Sequence, residues 1–408
     1  MHIIDPQGAM AQLVQPTVAP LERPPAWRHV VEPVPRATAF YTRSWRRWLA
    51  GRSSDVPVVR PTVLLGGHAL FDEVVMAGFR LTRSGAGPED IARIEQEALD
   101  ALAQYGAAGW MDAPAAFLPE PPDLGAIVTR ADRTRRVAYE RWSFESGYEP
   151  HAGEPGRKRW LAYSANRQAS AWVLRHEEPR PWLVCIHGAV MGRPVLDLAM
   201  FRARWLHQDL GLNVALPVLP LHGLRREGTT AAFPGEDVLD NIHGFAQAVW
   251  DIRRLIGRLR QDGQPVGVSG ISLGGYVAGV LAGVEDGLAC AILGVPLVDL
   301  AELADRSWPM DHDPAWRRVM ALARQLNEVV SPLALPPMLP LDRRFIYAGV
   351  ADRLVHPRHQ VLRLWEHWDR PTMQWYEGGH VGFFRSPPVG RYVAEALEAS
   401  GLVSDARH

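Results

Sequence analysis

The chain has 408 residues, of which 47% are hydrophobic, enough to bury a large core and too many for a disordered polymer. Lysine and arginine total 44 against 45 acidic residues, so no net field draws the chain toward nucleic acid or an anionic membrane surface. No run of 18 apolar residues occurs and the first residues lack a basic start before an apolar stretch, so neither a membrane span nor a secretory leader is expected, and the cytoplasm is the expected compartment.

In chain order, residues 1–129 form an N-terminal extension that is Pro-rich at first and then mainly helical in pattern. Its segment "FYTRSWRRWLAGR" is expected to be a short exposed helix that docks Trp45 and Trp48 on the main body. A clearer helix begins at Pro88, with Glu89 and Asp90 in its first turn and Ile91, Ile94, Ala98, Leu102 and Tyr105 along one face.

Near residue 130 the pattern changes to strands alternating with helices. "VAYERWSFESGYEP" and "QASAWVLRH" read as edge strands. The apolar "PWLVCIHG", "LNVALPVLP", "QPVGVSGIS", "LACAILGVP", "RRFIYAGVADR" and "PTMQWYEGGH" follow, and continuous runs of this kind belong to a parallel sheet covered on both faces. A helix from Glu236 carries Val238, Ile242, Phe245, Val249, Ile252, Ile256 and Leu259 as a stripe toward that sheet. The connection from Pro296 to Arg344 is too long for a simple crossover, so an insertion at about 297–340, with a helix from Pro314 to Glu328, is read as a small cap over the sheet edge. A last helix is expected from Val389 to Ala399. The expected class is therefore α/β: a mostly parallel sheet flanked by helices over residues 130–408, with a helical cap and the N-terminal extension. Cys185 and Cys290 lie in apolar strands and read as buried, unpaired thiols.

Chemistry concentrates in "VGVSGISLGGYVAGV". A Gly-x-Ser-x-Gly between a strand and a helix is a nucleophile elbow, in which Gly270 and Gly274 permit the turn that presents Ser272 while Gly275 and Gly279 let the helix pack close to the sheet. At the helix N-terminus the backbone N–H of Leu273 is the natural first donor to an oxyanion. A serine hydroxyl needs a base and a group to orient that base. Of 15 histidines, His380 in "YEGGHVGFF" stands just beyond the last expected strand, where Gly378 and Gly379 suit a mobile loop that approaches closely. Asp352 follows the penultimate strand and is the favoured orienting acid, with Asp299 after the preceding strand as its competitor.

The order Ser272, Asp352, His380, with "HGAVMG" after an early apolar strand, resembles the α/β-hydrolase fold superfamily over roughly residues 130–400. The resemblance implies a serine esterase: acyl transfer through a covalent intermediate, with no cofactor and no metal, on a small-molecule ester. It implies that the second oxyanion donor is the backbone N–H of Ala189, with Val190 as the alternative, and that His187 holds the loop and is not the base. The single His-Gly pair, in place of the HGGG of one lipase and esterase group, disfavours that group's preference for bulky tertiary-alcohol esters. A serine at the elbow argues against haloalkane dehalogenases and epoxide hydrolases, which place an aspartate there. Amidase or peptidase, thioesterase and acyltransferase activities share the same residues and stay open, as does a non-catalytic scaffold.

Around this site Val190, His222, Trp308 and Met310 are candidate substrate-lining residues, with His312 and Trp316 nearby in the cap. Arg225 and Arg226 beside His222 suit either a substrate carboxylate or a loop braced by salt bridges. No set of residues has metal-ligand spacing, and no nucleotide-binding glycine motif occurs. The N-terminal extension can serve as a lid, a homo-oligomerisation arm or a packing extension.

Overall fold

The computed structural model describes residues 31–51, 54–82, 86–228, 232–307 and 314–404. The N-terminal region forms α1 (Pro33–Leu49), α2 (Val63–Thr82) and α3 (Pro88–Ala107). β1 (Val128–Arg133), β2 (Ala138–Glu145), α4 (Arg157–Ala162) and β3 (Gln168–Leu174) follow. The centre of the chain gives β4 (Trp182–Ile186), α5 (Pro194–Met200), β5 (Asn213–Pro217), α6 (Val238–Arg260), β6 (Val266–Ile271) and α7 (Leu273–Val284). The remainder is β7 (Ala291–Gly294), α8 (Leu300–Ser307), α9 (Pro314–Leu326), β8 (Arg344–Gly349), α10 (Val361–His367), β9 (Thr372–Tyr376) and α11 (Pro387–Ala399).

The nine strands make one sheet in the order β1-β2-β3-β5-β4-β6-β7-β8-β9. β1, β2 and β3 run antiparallel to their neighbours, and every pairing from β5 to β9 is parallel. This is the α/β-hydrolase fold. The two faces of the sheet are both covered, which is why its strands are apolar without alternation. In β4, for example, Trp182, Val184 and Ile186 join one core cluster, while Leu183 and Cys185 join the other. The two cysteines are buried and free.

Strand order positions the site. The chain leaves β4 toward β5 on one side and returns past it to β6 on the other, so the loops after β4 and β6 face each other across a crevice. The registers keep the strand ends level: Ile186 pairs with Gly270, Ile271 with Gly294, Gly294 with Tyr347 and Gly349 with Tyr376. Residues just past β4, β6, β8 and β9 therefore share one edge.

Several details depart from the expectations. β1 is an additional strand whose six residues are all exposed; it carries no apolar pattern and is held by pairing with β2. Helix α1 runs for 17 residues; Trp45 in it is half-buried, and Trp48 is 40% exposed and packs edge-on to Trp45 at 5.5 Å. Helix α6 is buried nearly all round, because the N-terminal region covers the side turned away from the sheet; its cap Asp237 accepts from the N–H groups of Leu239 and Asp240. Within the insertion α8 reaches the sheet edge, where Leu300, Leu303 and Ala304 lie beside Ser272. Helix α9 leans on α3 through an ion pair between Arg318 and Glu95 at 2.6 Å, because its inner face meets that helix before it meets the cleft.

Candidate active site

Ser272 stands between β6 and α7 with φ +53° and ψ −115°, a conformation that costs a non-glycine residue on the order of 1–3 kcal/mol and persists only when its surroundings impose it. Those surroundings are identifiable. The Ser272 N–H donates to the Gly294 carbonyl, and its own carbonyl accepts from Leu297 N–H at 3.1 Å. A Cβ on Gly274 would lie 1.9 Å from the Ile186 carbonyl oxygen, and one on Gly270 would lie 2.1 Å from that of Gly274, so neither position admits another residue without moving α7. Leu273 is the first residue of α7, and its N–H has no acceptor within the helix.

His380 and Asp352 come to the same point from the loops after β9 and β8. Ser272 Oγ donates to His380 Nε2 at 3.0 Å, and His380 Nδ1 donates to Asp352 Oδ2 at 2.7 Å. The carboxylate can only accept, which fixes the proton on Nδ1 and leaves Nε2 free to receive one. Asp352 is 2% exposed, and its other oxygen accepts from the N–H groups of Leu354 and Val355. Burial pulls the pKa of His380 down, but the Asp352 charge and hydrogen bond, helped by the charge of Asp72, outweigh it and leave the imidazole raised above its ordinary value. Asp299 does not reach His380. It caps α8, accepting from Glu302 N–H, and pairs with Arg363 at 2.6 Å.

The "HGAVMG" loop is fixed at both ends. His187 is fully buried; its Nε2 accepts from Leu219 N–H, so Nδ1 carries the proton and donates to the Gly188 carbonyl. Burial lowers its pKa to about 4, which keeps it neutral. At the other end Gly192 N–H donates to Asp197, whose second oxygen accepts from the Trp172 indole. Between the anchors Val190 has φ +57° and is exposed, and Ala189 and Val190 border the space in front of Ser272.

That space is a cavity of about 270 Å³, and Ser272 and His380 are the only polar side chains lining it among the described residues. Val75, Met76 and Phe79 of α2 form one wall, and Leu300, Leu303 and Ala304 of α8 form another. His222 lies outside it, buried, with Nδ1 bonded to the Pro220 carbonyl and a pKa lowered to about 3 by burial and by His187. It borders a neighbouring cleft that also contains Arg226. Arg225 is buried against Asp251 at 2.9 Å and bonds the carbonyls of Val218 and Asn166, so it braces its loop. Trp308, Met310 and His312 lie outside the described residues; Trp316 is buried beneath α8, away from the cavity. Among the described residues no group of three His, Cys, Asp or Glu side chains is placed to hold a metal ion, and no helix is long and apolar enough to cross a membrane.

Two groups close to Ser272, His380 and Asp352 were not legible in the sequence: the apolar wall of α2, and Asp72 and Glu73 on the same helix. The signal for them was a pair of adjacent acids inside the otherwise apolar "FDEVVMAGF".

Two Mycobacterium tuberculosis proteins, the uncharacterized protein MT2702 of strain CDC 1551 and the uncharacterized protein Rv2627c of strain H37Rv, are each 48% identical to this chain over 388 residues, spanning 94% of it and 94% of themselves. The chain belongs to their family. No protein-family model matches this member of the Rv2627c family. Solved structures resemble it more distantly. The acetyl xylan esterase of Paenibacillus sp. R4 is 14% identical with a TM-score of 0.48, covering 71% of this chain and 98% of its own. Acetyl xylan esterase 1 of Thermoanaerobacterium sp. JW/SL YS485 is 16% identical with a TM-score of 0.46, covering 79% and 96%. The assignment of the Rv2627c family member to the α/β-hydrolase fold rests on its own strand order and elbow.

Proposed function

We propose that the chain is a serine hydrolase that cleaves carboxylic esters with an apolar acyl group, through an acyl-enzyme on Ser272. The observation that carries this reading is the hydrogen-bonded row Ser272, His380, Asp352, ending at a strained elbow and opening onto an apolar cavity. His380 Nε2 takes the Ser272 proton as Oγ bonds to the ester carbonyl carbon, and the N–H groups of Leu273 and Ala189 stabilise the negative oxygen that forms. The imidazolium, steadied by Asp352, then gives its proton to the departing alcohol as the C–O bond breaks. Water repeats the sequence on the acyl-enzyme and releases the acid.

The cavity favours an ester over a peptide. A peptide brings several N–H and C=O groups that need partners, and this lining offers almost none. A panel of p-nitrophenyl esters, an aryl amide and an acyl thioester tests the assignment. Turnover is expected for apolar acyl groups and should fall once the acyl chain outgrows the cavity. Amide or thioester turnover exceeding every ester by a hundredfold would replace the reaction class.

A further inference from the structure

Helix α2 is apolar along most of its length, yet Asp72 and Glu73 on it are only 1% and 4% exposed. A carboxylate buried to that degree is costly unless its oxygens are hydrogen-bonded, and both are bonded to the loops that bring Asp352 and His380 together. Asp72 Oδ2 accepts from the backbone N–H of His380 at 2.8 Å and from that of Arg353 at 3.0 Å. Glu73 accepts from the guanidinium of the same Arg353 at 2.9 Å. Arg353 directly follows Asp352, so a single carboxylate oxygen ties the loop after β8 to the loop after β9 beside the acid–base contact. The fit is close. A Cβ on Gly379 would lie 2.7 Å from Asp72 Oδ2, so the glycine preceding His380 makes room for this carboxylate.

We propose that Asp72, supplied by the N-terminal region, is a positioning residue that clamps the backbones of the acid and base loops and holds the His380 ring in line between Asp352 and Ser272. The inference rests on the triad reading above. Asp72 does not line the cavity and acts through His380. Its charge acts along the same route. Burial, then the Asp352 charge, push its carboxyl up to about 7, while the His380 charge and the two N–H bonds pull the other way; in return its charge helps to raise His380. The titratable and charged groups around it include Asp352 and Arg353 from the β8 loop, His380 and Tyr376 from β9 and its loop, Glu73 and His68 on its own helix, and Arg36 on α1. The Arg353 guanidinium pairs with Glu73, and the His380 charge is the one that pulls the Asp72 carboxyl down.

The test compares Asp72→Ala, Asp72→Asn and Ser272→Ala by p-nitrophenyl ester kinetics over a range of pH. Asparagine keeps an acceptor oxygen for the two N–H groups without the charge, whereas alanine keeps neither. Asp72→Ala is expected to lower kcat roughly 10- to 100-fold with KM little changed, as for loss of a group that orients a general base. Asp72→Asn is expected to recover most of that loss and to move the acid limb of kcat/KM to lower pH. Native kcat and an unmoved limb in Asp72→Ala overturn the proposal. If the alanine variant does not fold, Asp72→Ser, whose shorter hydroxyl cannot reach both N–H groups, takes its place, and native kcat there overturns the proposal. Ser272→Ala separates the two readings: activity surviving there removes the triad itself, while activity lost there beside a native-like Asp72→Ala removes only the role of Asp72.

Discussion

At His380 two effects oppose each other. Burial disfavours the charged ring, and the carboxylates of Asp352 and Asp72 favour it, with the second effect prevailing. A base must be neutral to take the Ser272 proton, and a raised pKa keeps it protonated up to a higher pH. Activity is therefore expected to fall as pH drops through a midpoint above the ordinary histidine value of about 6.5. Replacing Asp352 by asparagine should move that midpoint down and cut kcat by on the order of a thousandfold or more, since the ring loses both its charge partner and its fixed tautomer. A pH profile of kcat/KM for both proteins measures this, and a native midpoint well below about 6 would contradict it. Ser272, Asp352 and His380 were legible in the sequence because each follows an apolar strand in a fixed order. Asp72 was not, because a helical acid reads the same whether it faces water or a buried loop.

The elements show the same division. The parallel strands were readable because burial on both faces leaves them uniformly apolar, and α6 because its apolar residues recur at helical spacing. Strand β1, with the sequence "VTRADR", gave no such signal, since only backbone pairing holds it. The elbow joins sequence to packing most directly. Gly274→Ala puts a methyl group 1.9 Å from the Ile186 carbonyl oxygen and forces α7 away from β4. Overpacking against backbone of this kind costs about 3 kcal/mol or more, so thermal unfolding should begin at least roughly 3 °C lower. Gly257→Ala in α6 is the control, since its Cβ meets nothing within 4 Å and alanine favours a helix. Equal melting of the two variants would remove the steric account. A Cβ on Gly279 would meet Leu293 of β7 at 3.6 Å, as expected for close packing on the sheet, and also Pro332 in the connection after α9 at 2.8 Å.

In the whole molecule the N-terminal region is continuous with the core. Ile91, Ile94, Ala98, Ala101 and Tyr105 of α3 belong to the main cluster on one face of the sheet, and burial of an isoleucine such as Ile91 or Ile94 contributes roughly 1.5–3 kcal/mol. Helix α2 then carries this region over the sheet edge, where its Met76 and Phe79 close the cavity opposite Leu300 and Leu303 of α8. More than two hundred residues separate those walls in the chain, which is why the shape of the cavity could not be read from spacing. Strand order, the elbow and the two walls all converge on one hydroxyl. The most direct test of the account is the reaction of the native protein with a fluorophosphonate, read by intact mass and peptide mapping. The account predicts one adduct per chain, on Ser272, no adduct in Ser272→Ala, and labelling slowed at least about a hundredfold in His380→Ala. An adduct on another residue, or labelling of Ser272→Ala at the native rate, would contradict it.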